Sequence, residues 1–220
     1  MALIEAGSRI LPAFPEALSA KAERALEGLG VEVRLGSPVT ACDAEGVTIG
    51  EEQIAARTVL WAAGVAASPA AKWLGAERDR AGRVQVEADL SVPGHPEIFV
   101  IGDTALALDA SGTPLPGIAP VAKQAGRYAA VVIRARSERR KAPPPFRYRH
   151  LGNLATIGRK AAVADFGRIR LSGRVAWLLW GLVHIYFLIG FRNRLVVALD
   201  WLSAYLTFQR GSRLITGPLP

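Results

Sequence analysis

An α/β fold whose open sheet binds a ligand at its strand ends is predicted from three stretches of this sequence. Ile98 to Ile101 is an apolar, β-branched run of strand type. Gly102 follows at once, where the backbone can approach a ligand closely, and Asp103 sets a carboxylate just past the strand end. Ala119 to Arg136 then reads as a long helix. Pro120 suits its first turn, and Ala122 to Ala135 are good helix formers.

A strand, an acid at its tip and a returning helix suit a dinucleotide such as FAD. The acid can accept hydrogen bonds from ribityl hydroxyls. The helix can aim its positive end and free amides at an electron-rich ring. The plainer reading of Asp103 is a turn cap in some α/β sheet, and the helix that follows argues against it.

The elements before this stretch fit the same class. Ala2 to Glu5 reads as a short strand ending in an acid. Rossmann-type sites place an Asp or Glu there to bind a ribose hydroxyl. A Gly-rich fingerprint is expected roughly 20 residues upstream of such an acid. The chain starts too late to hold it, so the sequence reads as a fragment or as a start site placed too far downstream. Glu16 to Leu29 is an amphipathic helix with Leu18, Ala22, Ala25, Leu26 and Leu29 on one stripe, ended by Gly30. Val31 to Leu35, Val39 to Ala41, Val47 to Ile49 and Gln53 to Ala55 read as short strands. Thr58 to Ala63 is expected to be a buried strand, followed by Gly64. Pro69 to Leu74 is a short helix, and Val84 to Glu87 a strand. Asp109 to Gly117 is expected to be a flexible loop.

Charge is placed unevenly. The chain of 220 residues carries a formal net charge of +8, yet residues 142–220 hold 11 Lys/Arg against 2 Asp/Glu. The basicity belongs to this tail, which also holds Trp177, Trp180 and Trp201. Basic residues mixed with large apolar ones point to an anionic lipid surface, not to nucleic acid. Val175 to Phe191 runs 17 residues without a charge. As a helix it would extend about 25 Å, short of the ~20 residues that a span usually needs. Leu195 to Phe208 follows as a second helix. A helical hairpin lying in the membrane interface is the expectation, with a single span as its rival. Pro143 to Pro145 is read as a stiff linker. Cys42 is the only cysteine, so no internal disulfide can form and no CxxC pair exists. No metal site is expected, and His184 reads as a packed or interfacial histidine.

The sequence resembles the C-terminal half of a type II NADH dehydrogenase, the single-subunit, non-pumping NADH:quinone oxidoreductase. The resemblance rests on LIEAGSRILPAFP, VLWAAGV, IFVIGD, APVAKQAGRYAA and the tail HIYFLIGFRNRLVVALDWLSAYLTFQRGSRLITG, in the family's order. The tail is the most specific of these pieces. The resemblance implies an α/β two-dinucleotide-binding (FAD/NAD) flavoprotein fold, truncated here, with a C-terminal α-helical membrane-anchoring tail. It implies three parts: residues 1–82 from the NAD(H)-binding domain, 83–141 returning to the FAD-binding domain, and 142–220 associating with the membrane.

Electrons would pass from NADH through FAD to a membrane quinone. Glu5 would take a ribose hydroxyl of NADH, with the Ala63 and Gly64 backbone near its nicotinamide. Gly102, Asp103, Pro120 and Ala122 would contact FAD. Gln124 matches a position the family uses at its quinone site and could hold a quinone carbonyl. The family often has a second Gln beside it, and here Ala125 stands there. Lys123 would place positive charge near the flavin, although a solvated helix lysine is the plainer reading. The expected location is peripheral, on the cytoplasmic face of the inner membrane, and the tail could pair into a homodimer. Two other readings stay open: a flavoprotein like sulfide:quinone oxidoreductase, against which a lone Cys42 speaks, and a membrane-binding module without activity.

Overall fold

The chain begins as a βαβ element. β1 (Ala2–Ile4) pairs in parallel with β2 (Glu32–Arg34), and α1 (Glu16–Glu27) makes the crossover. A parallel pair needs such a crossover because a tight turn cannot reverse the chain twice. α1 follows Pro15, which precedes its first residue, and its Leu18 and Ala22 are buried as the stripe requires. Leu29, expected on that stripe, is exposed beyond the helix end, while Gly30 takes a left-handed φ of 79°. An antiparallel meander follows: β3 (Val39–Cys42), β4 (Gly46–Ile49) and β5 (Glu52–Ala55). The structure, a computed structural model, describes residues 1–62 and 64–207.

Two compact units result. Residues 1–59 join the chain from 152 onward, and residues 60–151 form the other unit. These units group residues by packing and cut across residues 82 and 141, the boundaries that the resemblance implies for the ligand-binding parts.

The strand expected at Thr58 to Ala63 does not form in the described residues 58–62. Residues 58–62 and 64–68 form no strand, and Leu60 in their middle is 83% exposed. The apolar run of Thr58 to Ala63 looks like a strand buried on both faces, but such a strand exists only beside hydrogen-bonding neighbours. No described strand lies beside this one. α2 (Ala70–Leu74) follows, closed by Gly75 in the left-handed region. β6 (Val84–Gln85), β7 (Ser91–Val92), β8 (His95–Phe99) and β9 (Ala105–Leu106) are short. β8 pairs antiparallel with β7, and β6 parallel with β9. The strand expected at Ile98 to Ile101 therefore ends at Phe99, and Ile101 leads into a 3-10 turn at Gly102–Thr104.

The loop after β9 is also more ordered than its composition suggests. The Asp109 carboxylate accepts hydrogen bonds from the Ser111 amide and hydroxyl and from the Thr113 amide. Leu108 bridges to Pro114 across the turn. α3 (Ala119–Ser137) is the longest helix of this unit, with Pro in its first turn. Its buried stripe runs Val121, Ala125, Ala129, Val132, Ala135, and the first two pack with Leu90, Ala107 and Leu115. After α3 the chain turns back as an extended strap. Phe146 and Tyr148 from that strap join the same cluster. The expected linker at Pro143 to Pro145 is thus part of a packed segment.

The remainder returns to the first unit. β10 (Asn153–Gly158), β11 (Ala161–Asp165) and β12 (Arg170–Ser172) make a three-stranded antiparallel sheet. β11 is buried on both faces, and the strand's two-residue period separates its contacts. Val163 packs with Leu18 and Ala22 of α1, while Ala162 and Ala164 pack with Ala176 on the other side. Alanines on that side let the helix carrying Ala176 approach closely. That helix is α4 (Gly173–Phe187), and α5 (Phe191–Thr207) follows a turn at Gly190. The apolar run of Val175 to Phe191 is therefore split at Leu188, and the second helix starts four residues earlier than expected. Phe208, its expected end, lies outside the described residues. No helix among the described residues is long and apolar enough to cross a membrane.

Candidate functional site

The acidic strand tip and the returning helix do meet. Asp103 sits in the 3-10 turn, and its carboxylate lies against Gly117, just ahead of α3. A Cβ built on Gly117 would fall 3.4 Å from Oδ1 of Asp103. Gly102 has a φ of 68°, a value that side chains disfavour, and a Cβ there would meet the Cβ of Ala122 at 3.4 Å. The two glycines leave bare backbone on either side of the acid. Asp103 is exposed and makes no hydrogen bond among the described residues, so its oxygens remain available as acceptors.

α3 opens beside this acid without a side-chain cap. Ile118 precedes it in extended geometry, and Pro120 removes one amide that would need an acceptor. The amides of Val121 and Ala122 turn back to the Ile118 carbonyl. The helix therefore presents its positive end near Asp103 with no side chain closing it off. Bare backbone, a free carboxylate and an open helix start are the donor and acceptor set that a sugar-linked ring system such as FAD needs.

The other expected residues fall as follows. Gly64 is exposed with a φ of 104° and open space beside its α-carbon. Ser68, four residues on, meets Thr104 oxygen to oxygen at 3.3 Å, next to Asp103. Ala63 lies outside the described residues. Glu5, in the first unit, stands at the carboxyl end of β1, where open α/β sheets bind ligands. One of its oxygens accepts the Gly7 amide at 2.7 Å, which fixes the carboxylate and leaves the other oxygen free to accept. Cys42 is exposed at the end of β3.

Gln124 sits one turn into α3, and its carboxamide is engaged at both ends. Nε2 donates to the Arg149 carbonyl at 2.9 Å, and the Arg149 amide donates to Oε1 at 2.9 Å. Tyr128, four residues later on the same face, donates to the Pro144 carbonyl at 2.8 Å. Its ring meets that of Phe146 at 5.4 Å. Gln124, Arg127, Tyr128 and the strap line a cavity of about 430 Å³. Lys123, next to Gln124, is exposed. Sequence reasoning missed the strap's part here. Its one signal was the pair of aromatic residues, Phe146 and Tyr148, among the arginines.

Farther along α3, Arg136 ties the helix to the turn before β7. It donates to Asp89 Oδ2 at 2.5 Å and to the Pro96 carbonyl, and stacks over the Phe99 ring. Burial of Asp89 opposes ionisation, but the Ser91 hydroxyl and amide and the Arg136 charge outweigh it. They hold the Asp89 carboxyl below its usual range.

The fold and this site together define a class. The chain belongs to the pyridine nucleotide-disulphide oxidoreductase family, which residues 1–126 match. Residues 150–210 match the NDH2 C-terminal domain, in agreement with the resemblance read from the tail. Among particular proteins, the chain is 40% identical to the type II NADH:quinone oxidoreductase NdhA of Mycobacterium tuberculosis, over 99% of this chain and 48% of that protein. It is 35% identical to the demethylphylloquinone reductase NdbB of Synechocystis, over 91% of this chain and 50% of the other. The chain thus spans about half the length of the curated relatives it matches. The structure of NDH2 from Plasmodium falciparum in complex with NADH superposes with a TM-score of 0.81, at 18% identity, over 96% of this chain and 59% of that one. That likeness shows the fold.

Proposed function

We propose that this chain is the C-terminal half of an enzyme that passes electrons from NADH through FAD to a membrane quinone. The observation that carries the proposal is the Asp103 carboxylate lying bare beside the open start of α3. One relative named for NADH:quinone reduction and one named for demethylphylloquinone reduction support it. When bound, FAD would supply the redox chemistry by accepting a hydride from NADH and giving electrons to the acceptor.

The residues would bind and orient. Asp103 accepts hydrogen bonds from the ribityl hydroxyls, and Gly102 keeps side chains out of their way. Pro120 and Ala122 form the helix edge that faces the ring, where the positive end of α3 favours added negative charge. Glu5 accepts from a ribose hydroxyl of NADH, and Gly64, with Ala63 before it, lets the nicotinamide approach backbone. Lys123 and Gln124 lie on the first turns of α3, toward the acceptor edge. Division into an NAD(H) part, 1–82, an FAD part, 83–141, and a membrane part, 142–220, follows from this assignment.

Attachment to a lipid surface belongs to the same proposal. α4 and α5 leave Leu178, Leu182, Tyr186, Leu195, Leu199, Leu202 and Leu206 exposed, and the turn between them carries Ile189 and Phe191, 87% and 79% exposed. Trp180 stacks on Trp201 at 5.3 Å and holds the two helices together. Arg192 and Arg194 flank the turn. Apolar side chains with aromatic and arginine neighbours suit burial at the headgroup boundary of anionic lipid. On this reading the protein lies peripherally on the cytoplasmic face of the inner membrane, and its tail pairs with that of a second copy.

The test is to purify the protein and record its spectrum and its activity. Flavin absorbance with NADH-dependent quinone reduction by the full-length enzyme is the expected result. A full-length protein that binds vesicles but no flavin would instead be a membrane-binding module.

A further inference from the structure

A closed circuit of contacts surrounds Asp103, and the turn that ends at Arg83 is its hub. Asp79 and Arg83 face each other across that turn. Oδ1 of Asp79 accepts the Arg83 amide at 2.8 Å, and Oδ2 accepts Nε at 2.8 Å and pairs with Nη2 at 2.7 Å. Both side chains are largely buried, 22% and 20% exposed. The pair fixes the plane of the guanidinium, and Nη1 donates to the Leu115 carbonyl at 3.3 Å. A planar fork suits this place, because it holds a carboxylate and still extends a donor sideways. The Leu115 amide donates to the Ala107 carbonyl at 2.9 Å, so that residue is held on both sides. Two residues on stands Gly117, the bare backbone against which the Asp103 carboxylate lies.

The same turn holds the segment after Gly64. The Ala67 amide donates to the Ala81 carbonyl at 3.4 Å, and a Cβ on Gly82 would meet the Cβ of Ala67 at 3.7 Å. Ser68, next in the chain, meets Thr104, the neighbour of Asp103. From Asp103 the circuit runs through Gly117, Leu115, Arg83, Ala67 and Ser68 back to Thr104. We infer that Arg83 is a positioning residue for both sides of the site: through Leu115 it sets how Gly117 abuts Asp103, and through its turn it seats the segment after Gly64. This rests on the reading that Asp103 holds FAD and that the Gly64 segment meets NADH. Arg83 acts through the backbone of its neighbours. A residue that only stabilised the fold would, when lost, reduce the folded fraction and scale every rate alike.

Amide exchange tests the tie in the chain as it stands. Arg83→Met keeps an unbranched side chain and removes the bonds to Asp79 and Leu115. Exchange of the Leu115 amide should speed up about tenfold or more, while the amides of α3 from Ala129 onward keep their protection. Unchanged exchange at Leu115 overturns the proposal. In the full-length enzyme, Arg83→Met should weaken FAD binding about fivefold or more, read by flavin fluorescence. With FAD saturating, it should slow reduction of the flavin by NADH about threefold or more and leave the KM for a quinone within about twofold. Wild-type FAD affinity or a wild-type rate of flavin reduction overturns the proposal. In an Asp103→Ala background, Arg83→Met should weaken FAD binding by less than about twofold further, because the backbone it steadies then has no acid to seat. A full further loss there also overturns it. Should Arg83→Met not fold, Asp79→Asn loosens the guanidinium with a smaller change and should weaken FAD binding likewise; unchanged affinity in that variant overturns the proposal. A wild-type full-length protein that binds no FAD overturns the reading of the site, and exchange at Leu115 still decides whether Arg83 holds the loop.

Discussion

The carboxylate of Asp103 rests against the bare α-carbon of Gly117, close enough that a Cβ there would sit 3.4 Å from its Oδ1. Hydrogen bonds to a charged acceptor contribute about 1.5–3 kcal/mol. Asp103→Ala should therefore weaken FAD binding by about 10- to 100-fold. Gly117→Val should weaken it too, by crowding the acid without removing its charge. Flavin fluorescence titration of the full-length enzyme measures both, and wild-type affinity in Asp103→Ala would remove this acid from the cofactor site.

The tail makes a separate prediction. Burying one leucine is worth about 1.5–3 kcal/mol. Leu182→Glu and Leu199→Glu should each lower partition onto anionic phospholipid vesicles by about tenfold or more. Co-sedimentation with vesicles reads this directly. Equal partition by the double variant would mean that the exposed face of α4 and α5 is not what meets lipid.

Acid should loosen the tie between α3 and the turn before β7. The folded-state pKa of Asp89 is lowered, so its contribution to stability is complete above the ordinary carboxylate pKa and disappears as pH falls through the folded value. Denaturant midpoints should therefore drop on acidification below about pH 4. In Asp89→Asn that part of the drop should vanish. The same pH profile in both proteins would show that Asp89 contributes nothing to it.

Gly46 offers a test of the meander. Its φ is 149°, and a Cβ there would fall 2.1 Å from the Ile54 carbonyl oxygen. Gly46→Ala should cost about 1–3 kcal/mol from backbone strain alone, with the clash in addition. Urea unfolding of the two chains measures the difference. Gly50→Ala is the comparison, since that site has a left-handed φ of 59° but open space around it, and it should cost less.

Much of the local structure was legible in the residues. Pro120 marked the first turn of α3, and its stripe from Val121 to Ala135 followed the helical period. Asp103 was readable as a strand-end acid facing that helix. Other readings failed where a second segment had to agree. The run at Thr58 to Ala63 has the composition of a buried strand, yet residues 58–62 are unpaired. The apolar stretch from Val175 looked continuous, but the chain turns at Leu188–Gly190, and packing of Ala176 on Ala162 and Ala164 fixes where α4 lies. The loop at Asp109 looked flexible because its composition does not show which amides its carboxylate will accept.

By itself the sequence determined where α1 and α3 start, where glycine must turn the chain, which tail carries the charge, and the family. Those follow from backbone dihedral limits, side-chain periods and local motifs, which act over a few residues. Tertiary structure alone decided that β11 is covered on both faces, that Asp103 meets Gly117, and that the amide of Gln124 bonds the backbone of Arg149. Each of these depends on a partner distant along the chain, and a hydrogen bond or a packed face is complete only when that partner arrives.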